Sequence, residues 1–329
     1  MEEAHIRPTD LAENHARAYA QDVDRYRSVQ AQFIERNCPA CLSASSEKWQ
    51  EKDGFTYRRC HACWAVFMSP GPTAELVKWF YEGSKNYAFW AEEMYPMSRM
   101  ARMESLHRPR AEWIVDSMDR LSDHSWSSSS PLRILEVGAG TGDTLRALNE
   151  RAPRWTLMGL EPNPSMRPFW GDRPSLIEDY ESLQSISEGF NAVLAFEVIE
   201  HLLNPREFLG YAHDLLRPAG LLFVSTPNSL SIEIQGLKGE SKAVDVEHIS
   251  LLTPAAMVQL ASDFNYDIVS IETPGELDIE LILQSSWCKQ NFGEALDLSE
   301  LTQDFLDGLQ NMVRESGMSS HMRVILRRR

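Results

Sequence analysis

The sequence predicts an α/β chain: a doubly wound, mostly parallel sheet preceded by a small cysteine-bearing module. Three observations carry this. After residue 131, short apolar runs alternate with helical patterns, as the strands of a sheet covered on both faces require. One of those strands runs straight into a glycine-rich turn, Gly138-Ala139-Gly140-Thr141-Gly142. Upstream, four of the five cysteines fall into two Cys-x-x-Cys pairs, Cys38/Cys41 and Cys60/Cys63.

Length and composition bound the rest. At 329 residues the chain exceeds what one core usually serves, so a large domain with an accessory module is expected. No run approaches the roughly 20 apolar residues of a membrane span. The acidic start, Met1-Glu2-Glu3, lacks the apolar core of a secretory signal, so a cytoplasmic protein is expected. The net charge of −16 argues against nucleic acid, whose affinity comes largely from neutralised phosphates, and favours a small-molecule acceptor. Arg327–Arg329 reads as a solvated tail, and Cys288 as an ordinary thiol.

Element by element, residues 1–36 hold a polar helix over about 10–33, with Leu11, Ala18, Val23 and Tyr26 along one side. Residues 37–70 form the cysteine module, with Phe55-Thr56-Tyr57 in a short hairpin. Pro70 and Pro72 then break the chain. Residues 71–130 are helical and aromatic: helices over 74–81 and 99–121, and Tyr87, Phe89 and Trp90 between them as a candidate lid over an acceptor. A serine-rich loop over 122–131 leads into the main domain, 131–329. Its strands are read at 132–137, 156–160, 192–196, 221–225, 268–271 and 321–326, with helices at 143–151, 205–216 and 253–263 and a helical insertion near 278–315.

Eighteen residues separate the cysteine pairs, a spacing at which two knuckles close a tetrahedral four-thiolate zinc site. Four thiolates fill the coordination sphere, so Cys38, Cys41, Cys60 and Cys63 are assigned a structural zinc. Glycine commonly follows such knuckles; here Leu42 and Trp64 stand in its place.

The glycine turn lets the backbone bend tightly and approach a ligand with no Cβ in the way. The next strand ends in Glu161, 23 residues after Gly138, where a carboxylate accepts both ribose hydroxyls of an adenosine. A nicotinamide dinucleotide competes for this pattern. Its fingerprint needs a third glycine one residue later, where Asp143 stands and would repel a pyrophosphate at the helix start. S-adenosylmethionine carries no phosphate and has a cationic sulfonium and amino group, which Glu136 and Asp143 suit. The methyl donor is the better ligand.

The segments Glu136-Val-Gly-Ala-Gly-Thr-Gly142, Glu161-Pro-Asn-Pro164, Phe196-Glu-Val-Ile-Glu-His201 and Leu216-Arg-Pro-Ala-Gly-Leu-Leu-Phe-Val-Ser-Thr-Pro-Asn228 resemble class I S-adenosylmethionine-dependent methyltransferases over about 131–271. The resemblance implies a Rossmann-like, seven-stranded sheet. It implies that Gly138, Ala139, Gly140 and Gly142 wrap the methionine part and that Glu161, with Pro162, holds the ribose. Residues near Tyr180–Glu181 and Phe196 would border the adenine.

Glu197, Glu200 and His201 follow the fourth strand, at the carboxyl edge where open α/β sheets bind ligands. In a helical turn, positions i, i+3 and i+4 point the same way. With His248 from the loop after the fifth strand they form a possible divalent-metal site, or an acid–base set in which Glu200, His201 and His248 are catalytic. A hydroxyl acceptor gives the reason: its proton must leave, by a base or under a metal. The pattern is similar to that of quinone-ring O-methyltransferases and of metal-dependent RNA ribose O-methyltransferases. His321 either reaches this edge or lies on the surface, and the surface is favoured.

The order of cysteine module, Trp79-Phe80-Tyr81-Glu82, methyltransferase core and the tail segments Glu272–Asp278 and Ser319–Arg323 is similar to a bacterial group that accompanies surface-polysaccharide and sugar-nucleotide assembly. That likeness implies a sugar or sugar-nucleotide acceptor methylated at oxygen or carbon. The alternatives are a metal-assisted RNA or quinone-type O-methyltransferase and a non-catalytic binder of S-adenosylmethionine.

Overall fold

The structure, a computed structural model, describes residues 6–121, 131–171, 174–179, 183, 189–292 and 301–329. The serine-rich stretch at 122–130 and the pair Tyr180–Glu181 lie outside the described residues. Helix α1, Ala12–Arg27, buries Ala18, Val23 and Tyr26. It ends at Arg27 rather than near Phe33. Phe33 leaves the helix in extended conformation and stacks its ring 5.7 Å from that of Phe55.

The cysteine segment folds as the predicted hairpin, β1 (Ser46–Lys52) and β2 (Phe55–Cys60), joined by Asp53-Gly54. Both turn residues take positive φ, 54° and 84°, giving a tight turn whose twist matches that of the strands. A third strand, β3 (Val66–Met68), completes the hairpin sheet. At the knuckles Leu42 and Trp64 adopt φ of 62° and 63°, the left-handed region glycine would take without strain. The missing glycines therefore leave the loop geometry in place.

Next come α2 (Ala74–Gly83), α3 (Lys85–Phe89), α4 (Tyr95–Arg102) and α5 (Arg108–Leu121), with π-helical turns at Trp90–Met94 and Met103–His107. The helix expected over 99–121 is thus α4 running into α5 through a widened turn. That turn brings His107 Nδ1 within 3.0 Å of the Thr144 hydroxyl.

The main domain follows in the order β4 (Arg133–Val137), α6 (Asp143–Arg151), β5 (Thr156–Leu160), β6 (Ser175–Ile177), β7 (Phe190–Phe196), α7 (Pro205–Leu215), β8 (Leu216–Pro227) and α8 (Ile232–Leu237). It continues with β9 (Ser250–Leu251), α9 (Pro254–Asp263), β10 (Tyr266–Glu272), α10 (Asp278–Gln284), α11 (Ser286–Phe292), α12 (Gln303–Glu315) and β11 (His321–Arg328). Seven strands form one sheet in the order β10-β11-β8-β7-β4-β5-β6. Its β6-β5-β4-β7-β8 part is parallel, and β11 is antiparallel to both neighbours. The direction of β11 follows from the insertion: α10–α12 begin where β10 ends, so the chain re-enters from the carboxyl edge without crossing the sheet.

Strand alternation divides the core between two faces. Leu135, Val137, Val193 and Ala195 pack with Leu209, Met257 and Leu260, whereas Ile134, Leu194 and Phe196 pack with Ile114, Leu145 and Leu148. Every residue of β7 is buried, so the turn that follows it leaves a rigid central strand. Cys38, Cys60 and Cys63 belong to the same buried cluster as Leu252 and Met257, and β9 joins the hairpin sheet as its fourth strand. No helix among the described residues is long and apolar enough to cross a membrane.

Candidate active site

The glycine turn lies where β4 meets α6. Gly138, Gly140 and Gly142 all take positive φ, 68°, 52° and 75°. A Cβ on Gly138 would come within 2.6 Å of Val198, so the turn after β7 rests directly on this loop. At Gly140 nothing lies within 4 Å of where a Cβ would be. That face of the turn is open to a ligand. Trp170 braces the loop from beneath, its indole N–H donating to the Gly140 carbonyl at 2.8 Å. Glu161 lies on the facing strand end and accepts from the amides of Gly140 and Asn163, each at 2.8 Å. Burial raises its carboxyl pKa above the ordinary value. Pro162 beside it is exposed.

Three residues of this region have partners within the protein. Asp143 does not offer free negative charge to a cationic ligand: Arg146 and Arg99 donate to its Oδ1 at 2.6 and 2.8 Å, and Thr141 to Oδ2 at 2.9 Å. Ala139 points its methyl into the core, so only its backbone lines the turn. Phe196 falls on the α5 face by strand alternation, with the Arg110 guanidinium 4.4 Å from its ring centre and Trp113 6.2 Å away. Those contacts hold its ring against α5. Glu136 has no such partner at one of its oxygens, Oε2. It is buried, and burial pushes its carboxyl up to about 8. An open glycine face and an orphaned acidic oxygen fit a nucleoside whose other end is cationic.

The Glu136 shift carries a sign. Its folded-state pKa of about 8 lies above the ordinary 4.5, so the native chain holds a proton the unfolded chain has lost. Stability is therefore highest below the unfolded value and declines as pH rises toward 8, by up to about 1.4 kcal/mol per pH unit from this group. A melting temperature that falls from pH 6 to pH 8 in the wild type, and less steeply in Glu136→Gln, is the expected result. Identical slopes in the two proteins would remove Glu136 as the cause.

Beyond β7 the chain turns sharply. Glu197 sits at φ 55°, and Ile199–His201 form a 3-10 turn. Glu197 lies before that turn, so it diverges from its expected partners. Its carboxylate accepts from the Ser225 hydroxyl at 2.6 Å and meets His321 Nε2 at 3.0 Å. His321, favoured for the surface, is exposed yet paired at the carboxyl edge because β11 begins there. Glu200, His201 and His248 do converge, with one donor atom from each within 4.8 Å of the others.

Glu200 is fully buried, accepts from the Thr226 hydroxyl at 2.9 Å, and has no partner for Oε1. Burial, then the nearby Glu197, push its carboxyl well above the usual range. The rings of His201 and His248 are 4.7 Å apart. Burial, then His248, lower His201 to about 3, so it is neutral at physiological pH. Its Nδ1 lies within hydrogen-bond distance of the Tyr81 hydroxyl, at 3.0 Å. His248 Nδ1 lies 2.9 Å from the Ala243 carbonyl. That contact fixes Nδ1 as the protonated nitrogen and leaves Nε2 as an acceptor. One buried carboxyl oxygen and two imidazole nitrogens make a donor set suited to a divalent cation as well as to proton transfer.

Tyr81 was not singled out from the sequence; the only signal was its place in an aromatic run at the end of α2. Of the candidate lid residues, Tyr87 packs edge-on to Tyr81 at 5.0 Å. Phe89 instead stacks on His15 at 5.8 Å and is buried with Leu11 and Met94. Trp90 lies beneath the Arg102 guanidinium.

A family model described as a methyltransferase domain matches residues 106–271. Among curated proteins, the chain is 29% identical over 165 residues to the ubiquinone biosynthesis O-methyltransferase of Rhodopseudomonas palustris (strain BisA53), covering 47% of this chain and 62% of that one. It is 30% identical over 154 residues to the enzyme of that name from Azorhizobium caulinodans, covering 43% and 59%. The chain thus spans about six tenths of the length of these relatives. Among solved structures it is similar to the plantazolicin methyltransferase BpumL in complex with SAH, with a TM-score of 0.46 and 16% identity over 78% of this chain and 98% of that one. A SAM dependent methyltransferase from Archaeoglobus fulgidus gives 0.43 and 16%, over 66% and 94%. The matched half of the sequence contains the glycine turn, Glu161, the Glu200–His201 turn and His248, and by that match the chain belongs to the methyltransferase-domain family, with the Rossmann-like sheet of its class I members.

Proposed function

We propose that the chain transfers a methyl group from S-adenosylmethionine to a hydroxyl of a small polar acceptor. The observation that carries this reading is the half-buried Tyr81–His201–His248 group with the buried Glu200, set beside the glycine turn through the Val198 contact on Gly138. Bound S-adenosylmethionine supplies a methyl group on a sulfonium, already activated for displacement. The residues of the chain then have two tasks. Glu161 and the open face of Gly140 hold the nucleoside, and Glu136, which burial keeps protonated without ligand, gives up that proton to answer its cationic end. At the acceptor, His248 Nε2 takes the hydroxyl proton while Tyr81 and His201 fix the neighbouring ring. Alignment and proton removal are what a hydroxyl acceptor needs, and removal contributes about 10²–10⁴-fold.

The donor set of Glu200, His201 and His248 also fits a divalent cation, which would lower the pKa of an acceptor hydroxyl. The relatives named above are O-methyltransferases, which favours oxygen over carbon and a ring hydroxyl of quinone type over the sugar acceptor expected from the sequence. The test is incubation with labelled methyl donor and, in parallel, catechol-type rings, nucleotide sugars and RNA. Label in the ring hydroxyl is expected. Label confined to RNA would overturn the reading, and label confined to nucleotide sugars would restore the sugar acceptor.

We also assign zinc to the four cysteines. The Sγ atoms pair at 3.5 Å, Cys38 with Cys63 and Cys41 with Cys60, and all four lie within 4.8 Å of one another. Tetrahedral zinc with bonds of about 2.3 Å needs sulfur separations of about 3.8 Å. Metal analysis of purified, unchelated protein should return about one zinc per chain. None would refute the assignment.

A further inference from the structure

His248 lies within residues 241–253, whose one regular element is the two-residue β9. Such a segment keeps its shape through contacts with its neighbours. Asn86 donates to Glu247 at 2.7 Å, Ser250 to the Leu202 carbonyl at 2.8 Å and the Ser229 amide to the Leu252 carbonyl at 2.9 Å, and a further series of contacts comes from the cysteine hairpin. Lys52 Nζ donates to the Ser241 carbonyl at 2.8 Å, and Tyr57 Oη to the Asp245 carbonyl at 2.5 Å. The Met68 amide donates to the Ile249 carbonyl at 3.1 Å. Val66 faces Leu251 and Phe67 faces Ser250 across the β3–β9 pairing. The Thr253 hydroxyl donates to the carbonyl of Cys63 itself at 2.7 Å.

Within the segment the chain of control is short. Asp245 Oδ1 accepts from the amides of Glu247 and His248 at 2.8 and 2.9 Å, closing the turn that presents the imidazole. Tyr57 holds the backbone of that same Asp245. Val244, Val246 and Ile249 are buried among Phe55, Tyr57 and Met68. The donor side is built differently: the glycine turn and Glu161 bond to Trp170, Leu160 and Asn163. Leu42 and Trp64 also hold left-handed backbones next to the ligand cysteines, a conformation that costs about 1–2 kcal/mol per residue and that metal–thiolate bonds would offset.

We propose that the four-thiolate centre positions the acceptor-side histidine. Metal at Cys38, Cys41, Cys60 and Cys63 holds the hairpin, the hairpin holds the Asp245 turn through Tyr57, and the turn aims His248, while the donor site stands without it. The centre thereby couples metal occupancy to turnover rather than to donor binding. Tyr57 is a positioning residue in this chain of contacts. The effect on turnover rests on the methyltransferase reading above; the coupling of metal to the 241–253 segment does not.

The test uses the full chain with zinc removed by chelation and then restored. Three quantities are read: hydrogen exchange of peptides spanning 241–253 and 136–161, calorimetric affinity for S-adenosylhomocysteine, and methyl transfer. Zinc removal should speed exchange in 241–253 at least tenfold, leave 136–161 and donor-product affinity within about threefold, and be reversed by zinc. In the zinc-loaded protein, Tyr57→Phe should lower kcat about tenfold with the donor KM within about threefold. Protection of 241–253 that survives zinc removal would overturn the proposal. So would loss of donor-product affinity in step with it, or full kcat in Tyr57→Phe. Exchange and calorimetry need no acceptor, so they judge the coupling even if the transfer reading fails.

Discussion

Replacing His248 by alanine is expected to lower methyl transfer by about 10²–10⁴-fold, the range one positioned acid–base group supplies. Affinity for S-adenosylhomocysteine should stay within about threefold, because the proposed donor cradle is built from Gly140, Glu161 and Trp170, which bond to one another rather than to the His248 loop. The proposed mechanism gives His248 the larger share of the chemistry. Its Nδ1 is committed to the Ala243 carbonyl, which leaves Nε2 to meet the acceptor in the proposed reaction. His201, held neutral by burial and bonded to Tyr81, is suited to fixing its neighbour. His201→Ala should therefore reduce transfer as well, and Tyr81→Phe less than either. Rates under saturating acceptor, with calorimetry on each variant, decide the matter. Full turnover in His248→Ala would leave the site without its base.

The second large effect is at Glu161. Its two oxygens hold the amides of Gly140 in the glycine turn and of Asn163 after its own strand, the two loops proposed to receive the nucleoside. Removing a charged acceptor costs about 1.5–3 kcal/mol per bond. Glu161→Ala is then expected to weaken donor binding by about 10²-fold or more, since Gly140 also loses its anchor. Glu161→Gln keeps one oxygen acceptor and should fall between. Here the reversed pattern is diagnostic: donor KM rises strongly, while the rate at saturation changes little. Unchanged affinity in Glu161→Ala would mean that the adenosine lies elsewhere.

Much of this organisation was legible in the sequence because its signals are local. Apolar alternation marked β4, β5 and β7 to within two residues, and Asp143–Arg151 was placed at both ends, because glycines or prolines punctuate those segments. The paired cysteines announced their own convergence through spacing alone. Helix and hairpin ends set by long-range packing were less legible, as at Phe33, whose stacking on Phe55 ends α1 early.

The site itself shows where sequence reading stops. The sequence alone determined a glycine turn into α6, a carboxylate on the next strand and a Glu-x-x-Glu-His turn after β7. Each is a matter of short spacing and backbone permissiveness, and each holds whatever the rest of the chain does. Only the tertiary structure decided which of these groups meet. It separated Glu197 from Glu200 and gave it to His321, neutralised Asp143 with two arginines, and brought Tyr81 across 120 residues to His201. Side-chain partners follow from strand order and burial, and a buried polar atom takes whichever neighbour the packing supplies. That is a property of the assembled core, and no local spacing encodes it.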